Sequence, residues 1–423
     1  MKPTLPTARR EFLRQLFWTA GAMGAFGSSA LLGSSALAQA AGLPRRIDLR
    51  LLGPLGEPDE NGIRLPAGFS SRVVAVSGER PAPRSSYRWH VLPDGGATFA
   101  TADGGWVYAN NSEVPLIGGV GALRFDRAGH VVDAYRVLTG TSVNCAGGKT
   151  PWSTWLSCEE HDLGRVWECN PLGTVLDARV RSGLGIFKHE AVAVDPQQRI
   201  LYLTEDDGEG RFYRYVCGEA DWPAGAQRPA LRHGRLQVLQ FAELPGNGYP
   251  PEGFDVMQAR AVQWHDVVLP GLPQGLVRDR LGDGAPGSVF KGGEGLWYFE
   301  GIVYFSTKGD NRIWAYDHAA QTLEAIYDFS RAQAPNNALS GVDNLTVSPW
   351  GDVLVAEDGG NMELCVIAPD RSVHVLLQVT GQDGSELTGP AFSPDGTRLY
   401  VNSQRGGRSG SGLGITYEIR LPA

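Results

Sequence analysis

One hairpin unit recurs along this chain and limits what it can become. Val194-Asp195-Pro196 leads into Ile200-Leu201-Tyr202-Leu203 and ends on Thr204-Glu205-Asp206. Val347-Ser348-Pro349 leads into Val353-Leu354-Val355-Ala356 and ends on Glu357-Asp358, and Phe392-Ser393-Pro394 leads into Leu399-Tyr400-Val401-Asn402. Each copy is a strand, a tight Pro-bearing turn and a second strand that stops on polar residues. Weaker echoes fall at 125–129 and 367–370, and helical periodicity is almost absent. A repeated hairpin predicts an all-β fold, a β-propeller whose four-stranded blades surround a channel. A sandwich ranks second because it offers no reason for the repeat. The length fits six blades with a long loop-rich insertion around 218–290, where Pro, Gly and Arg interrupt every pattern. Residues 41–423 are read as this single domain.

If equivalent strands run side by side around an axis, acids far apart in sequence meet at one rim. The clusters are Cys158/Glu159, His189-Glu190, Thr204-Glu205-Asp206, Gly293-Glu294-Gly295, Asp343-Asn344 with Glu357-Asp358, and Glu386. Glu294 to Thr307 spans the same interval as Asn344 to Glu357, so Glu294 and Asn344 read as equivalent positions. Single acids at strand ends commonly cap turns. A converging set repels unless cations lie between its members. In the stretch 144–160, the strand from Trp152 ends on Cys158, Glu159 and Glu160. Side chains alternate along a strand, so Cys158 and Glu160 share one face and Glu159 takes the other. Thiolate with carboxylate suits a transition metal, and carboxylates with Asn suit calcium. The sequence has no His-x-x-His or Cys-x-x-Cys spacing, which argues against a closed structural zinc site.

The amino-terminal segment reads as an export leader over 1–40. Arg9-Arg10-Glu11-Phe12-Leu13 precedes a Gly- and Ala-rich run at 16–32, and Ala36-Leu37-Ala38 offers a cleavage site. Paired arginines with a weakly apolar core are the twin-arginine signal, whose machinery is then a partner of this chain. No later stretch approaches the roughly 20 apolar residues of a membrane span. The expected product is therefore periplasmic or secreted, without a membrane span and monomeric. The formal net charge of −8 excludes the basic footprint of a nucleic-acid binder. It also means that a site for anionic esters needs cations of its own. Cys145, Cys158, Cys169, Cys217 and Cys365 are odd in number, so one thiol at least has no intrachain disulfide partner.

GGKTPWSTWLSCEEH, KHEAVAVDP, LYLTEDDGEGRFYRY, GGEGLWYFEGIVYFSTKGD, GVDNLTVSPWGDVLVAEDGG and ELTGPAFSPDGTRLYVNSQ occur in this order. As a set they resemble the PhoX family of secreted alkaline phosphatases, over most of the chain from about residue 85. The resemblance implies the same propeller and a mixed iron–calcium cluster at the channel mouth, with a cysteine among the iron ligands. Carried over residue by residue, it points to Cys158, Glu159, Glu190, Glu205, Glu294 and Glu357 as metal ligands, with Asn344 and Glu386 beside them. Phosphate contact is expected from Lys149, Lys291, Lys308 and Arg405, and Glu294 and Lys149 are the expected catalytic residues. His189 is a further acid–base or supporting candidate, although a buried neutral histidine is its commoner fate; His161 and His265 are weighed with it. The aromatics Trp152, Trp155, Trp297, Tyr298 and Trp314 read as blade packing.

One departure stands out. The larger phosphatases of that family carry a phosphate-binding arginine two residues before the equivalent of Glu294, and this chain has Gly292 there. The expected function is an exported, metal-dependent hydrolase of small phosphate monoesters, its metals neutralising the phosphoryl oxygens and furnishing an oxide or hydroxide nucleophile. The alternatives are a calcium-dependent lactonase-type propeller and a metal-stabilised binding propeller without turnover.

Overall fold

The structure is a computed structural model that describes Leu49 and residues 52–368, 370–407 and 412–422. The leader read over 1–40 lies outside the described residues. The chain is all-β, and Gln274–Leu281 is the α-helix among the described residues. Runs such as Ile302–Thr307 (IVYFST) and Val353–Glu357 (VLVAE) are rich in β-branched and aromatic residues and form fully or nearly fully buried strands.

Antiparallel pairing gathers the strands into five sheets in a propeller-like arrangement. The nine-stranded sheet consists of two meanders, one opening on His189–Asp195 and one on Gly293–Phe299. They are joined where Arg260–Asp266 pairs with both Arg235–Phe241 and Thr322–Asp328. The loop-rich insertion read around 218–290 thus supplies two strands and the helix. Its alternation (RLQVLQF) is hidden by the glycines and prolines around it.

The first strand of each meander faces the axis. These inner strands are Pro93–Ala100, Asn144–Lys149, His189–Asp195, Gly293–Phe299, Val342–Val347 and Leu387–Phe392. Each packs against the next in that order, and the last returns to the first. The circle is completed by Ser70–Val76, which pairs along Ile415–Arg420 in the sheet of the last inner strand.

Side-chain-free positions let the inner strands converge. A Cβ on Gly95 would lie 2.5 Å from Ala146 Cα, and one on Gly295 would lie 2.2 Å from Leu345 N. The core fills the wedges between neighbouring meanders; Phe212 stacks on Phe305 with ring centroids 4.2 Å apart, and Trp314 and Phe241 pack in the same cluster. A cavity of about 300 Å³ runs between the middles and far ends of the inner strands, lined by Gly148, Lys149, Val194, Leu296 and Tyr298.

Candidate metal centre

Every inner strand breaks register with its neighbour near its start. The irregularities fall between Pro93 and Gly96, Asn144 and Gly147, His189 and Val192, Gly293 and Leu296, Val342 and Leu345, and Thr388 and Ala391. A bulge inserts an unpaired residue and re-aims its side chain. In the first five inner strands the second residue lies inside the bulge: Asp94, Cys145, Glu190, Glu294 and Asp343; in the sixth Thr388 still pairs with Asn402, and Gly389 and Pro390 fall inside it.

The pairing also fixes a second set. Inner-strand first residues face Ser112, Glu159, Glu205, Thr307, Glu357 and Ser403 at the ends of the adjacent strands. One residue further along stand Glu113, Glu160, Asp206, Lys308, Asp358 and Gln404.

These two circles interlock. Ligand atoms of Asp94, Glu113 and Cys145 lie within 4.8 Å of one another, and so do those of Cys145, Glu160 and Glu190. The same spacing holds for Glu190, Glu294 and Asp343, and for Asp343, Asp358 and Glu386. The cluster is therefore continuous around the axis. Gln404 bridges its first members, donating to Asp94 Oδ2 at 2.6 Å and to Glu113 Oε2 at 2.5 Å. Lys308 Nζ lies 2.6 Å from Asp358 Oδ2, 3.3 Å from Asp343 Oδ2 and 3.8 Å from Glu294 Oε1. Arg405 Nη1 lies 3.1 Å from Glu386 Oε1.

Burial and mutual repulsion dominate the electrostatics. Burial first, then the nearby Asp206 carboxylate, pushes Glu160 up to about 9; burial and Asp343 push Glu386 up to about 10. Glu190 and Glu294 are driven well above the carboxylate range by burial and by their acidic neighbours, and the Cys145 thiol is raised in the same way. Burial works against the charge on Lys308, yet Asp343, Glu294 and Asp358 hold its ammonium well above its ordinary value. Glu190 Oε2 and Glu294 Oε1 are buried without a hydrogen-bond partner. Buried carboxylate oxygens that accept no hydrogen bond, gathered beside a thiol, are costly without a counter-charge, so this donor set fits metal ions.

Of the residues singled out from the sequence, Glu190, Glu294 and Glu386 belong to this cluster. Cys158 does not; its thiol is fully buried in an apolar cluster with Leu156, Val166 and Phe187, and Cys145 is the thiol among the acids. Glu159, Glu205 and Glu357 turn away and hold turns. Glu159 accepts from Ser142 N at 3.0 Å and Trp167 Nε1 at 3.1 Å. Glu205 accepts from Arg211 N at 3.0 Å and is clasped by Arg278 at 2.8 and 3.0 Å. Glu357 accepts from Ser340 N at 2.6 Å and Glu363 N at 3.1 Å. Asn344 supports the cluster, donating to Asp343 Oδ1 at 2.7 Å and accepting from Gly389 N at 2.9 Å.

Among the basic residues, Lys308 and Arg405 touch the cluster. Lys149 ends its inner strand at the cavity, its ammonium 5.3 Å from the Phe99 ring centroid, and Lys291 sits over Tyr249 at 4.0 Å. His189 is fully buried, packs against the tilted Phe187 ring with centroids 3.6 Å apart and has its pKa lowered to about 3 by burial, so it is neutral. His161 lies 3.8 Å from Glu159, and His265 lies opposite Val238 in the outer sheet.

A family model described as alkaline phosphatase PhoX matches residues 108–407, which hold all of the cluster except Asp94. No curated protein matches the chain. Among solved structures, PhoX of Pseudomonas fluorescens, in complex with the transition-state analogue vanadate, is similar at 17% identity and a TM-score of 0.67, covering 88% of this chain and 97% of that one. The gluconolactonase XC5397 of Xanthomonas campestris aligns at 13% identity with a TM-score of 0.48, over 88% and 98% of the two chains.

Proposed function

Given that the chain belongs to the PhoX family of alkaline phosphatases, we propose that it is an exported phosphatase of small phosphate monoesters, working at a metal cluster on the axis of a six-bladed propeller. The blade count takes the nine-stranded sheet as two blades, in keeping with the closed circle of inner strands. The observation that carries the reading is the thiol of Cys145 set among carboxylates at equivalent bulged strand ends, with buried oxygens of Glu190 and Glu294 that accept no hydrogen bond.

Donor chemistry divides the metals. Cys145 with Asp94, Glu160 and Glu190 suits iron, and the all-oxygen set of Glu294, Asp343, Asp358 and Glu386 suits calcium. When bound, such ions supply Lewis acidity toward phosphoryl oxygens. The chain's own contribution is positional. Lys308 has a side chain 37% exposed and spans Glu294, Asp343 and Asp358, so it can meet a phosphate at the mouth once cations occupy those carboxylates. Arg405 offers a second contact from the Glu386 side. Lys308 stands beside Gly292, its Cβ 3.6 Å from where a Cβ on that residue would lie. The paired-arginine leader supports twin-arginine export of the folded chain, and the acidic net charge supports a monomer that ignores nucleic acids.

The test uses the full chain purified from its export route with its metals. It should hydrolyse an aryl phosphate at alkaline pH, require calcium, and lose about 100-fold in kcat when Glu294→Gln removes one charge from the cluster. If fully metallated protein turns over no phosphomonoester, the reading gives way to a metal-binding propeller without this activity.

A further inference from the structure

A second group of ligand-type side chains lies away from the axis, between the second and third strands of the fifth meander. Ligand atoms of Glu357, Glu363 and Cys365 fall within 4.8 Å of one another. Glu357 and Cys365 are fully buried and Glu363 is 8% exposed. Glu363 Oε2 is buried and meets no hydrogen-bond donor.

The repeat makes this group anomalous. Continued by one residue, the strand registers set Glu357 opposite Glu363, as they set Glu159 opposite Arg165 and Glu205 opposite Arg211. Two residues further along stand Cys365, Trp167 and Tyr213. In the second meander Glu159 receives a hydrogen bond from Trp167 Nε1, and in the third Glu205 receives one from Tyr213 at 2.8 Å and a guanidinium from Arg278. In the fifth meander the corresponding places hold an acid and a thiol, which give the Glu357 carboxylate no cation. The neighbouring Arg64 directs its guanidinium to Gln378 Oε1 and Gly56 O, both at 3.0 Å, and reaches Glu363 only as a nearby charge, while Asn361 gives Glu363 its one side-chain hydrogen bond. A carboxylate buried among acidic groups is costly unless a positive charge joins it.

We propose that Glu357, Glu363 and Cys365 bind one zinc-type divalent ion, which takes the place of the donors found in the equivalent blades. One thiolate and two carboxylates suit such an ion better than calcium. The exposed Gly360 and Asn361 beside Glu363 leave a short path to solvent. The ion would tie the start of the Glu363–Ile367 strand to the end of Val353–Glu357, below the turn that carries Asp358.

Cobalt(II) is the probe, because a thiolate ligand gives it a charge-transfer absorption. In Cys145→Ser protein reloaded with cobalt, the thiol of the axial cluster is gone, and a thiolate–cobalt band of one equivalent should remain. Adding Cys365→Ser should abolish it. Glu363→Arg installs the residue type found at the equivalent places, so this variant should fold, and elemental analysis should find one bound ion fewer than in wild type. A Cys145→Ser protein without the band, a band that survives Cys365→Ser, or folded Glu363→Arg protein with undiminished metal content would each overturn the proposal in favour of a proton shared between the two carboxyls.

Discussion

Glu159 and Glu160 are neighbours in the chain and serve opposite purposes in the fold. Glu159 secures the turn at Ser142, whereas Glu160 joins the acids around Cys145. The same one-residue step separates Glu205 from Asp206 and Glu357 from Asp358, because a shift of one along a strand exchanges faces. The alternation visible in the sequence paired Cys158 with Glu160, but the strand ends at Glu159, so Glu160 joins the axial acids while Cys158 stays in the core with Leu156. Strand ends and bulges of this kind leave no mark in composition. Cys145 was legible only through its place as the second residue of an inner strand, which it shares with Glu190, Glu294 and Asp343. Cys145→Ser should therefore remove thiolate-bound iron while Cys158→Ala leaves metal content intact and costs about 1 kcal/mol of stability, as loss of a small buried group does. Elemental analysis and chemical denaturation check the two halves. Gly292 also changes meaning. Its φ of +62° is left-handed, and a Cβ there would come within 3.1 Å of Asp206 Oδ1 and 3.3 Å of Gly309 N. Gly292→Arg should accordingly lower stability by about 1–2 kcal/mol and leave phosphate affinity unimproved, which melting and KM measurements would register.

At the scale of elements, the repeat in the sequence located the hairpins at Ile200, Val353 and Leu399, since each has strong β-formers and a Pro-marked turn. It could not reveal that 224–290 contributes the outer strand of one meander and the link to the next. Glycine and proline obscured that alternation, and the pairings that stabilise it are long-range. The helix Gln274–Leu281 from this segment is fastened by one buried pair. Arg278 donates to both carboxylate oxygens of Glu205 and also to Tyr213 Oη at 2.9 Å. Arg278→Met should leave Glu205 uncompensated and cost about 3 kcal/mol. Limited proteolysis should then cut within 268–286 faster than in wild type. Undiminished protection there would mean that the helix is held by its apolar contacts alone.

For the whole molecule, the acids around the axis set the response to pH and to chelators. In metal-free protein Glu160 and Glu386 have folded values near 9 and 10, against an ordinary value of 4.5. The folded state then binds more protons than the unfolded state between those limits, so stability present below pH 4.5 falls as pH rises through 9 and 10. The melting temperature of chelated protein should drop steadily over that range, and added calcium should flatten the dependence. A flat profile in excess chelator would mean that these carboxyls are hydrated. The closing pair of Ser70–Val76 with Ile415–Arg420 has a consequence for biosynthesis. A ribosome delivers the first of these strands some 340 residues before its partner, so throughout translation an open β-edge waits in the cytosol for the last segment to arrive. Holdase chaperones would have to shield that edge until release, and a product cut short before residue 415 could never cover it. Such fragments should be cleared by proteases, so that only finished chains reach the stage at which metals can be enclosed.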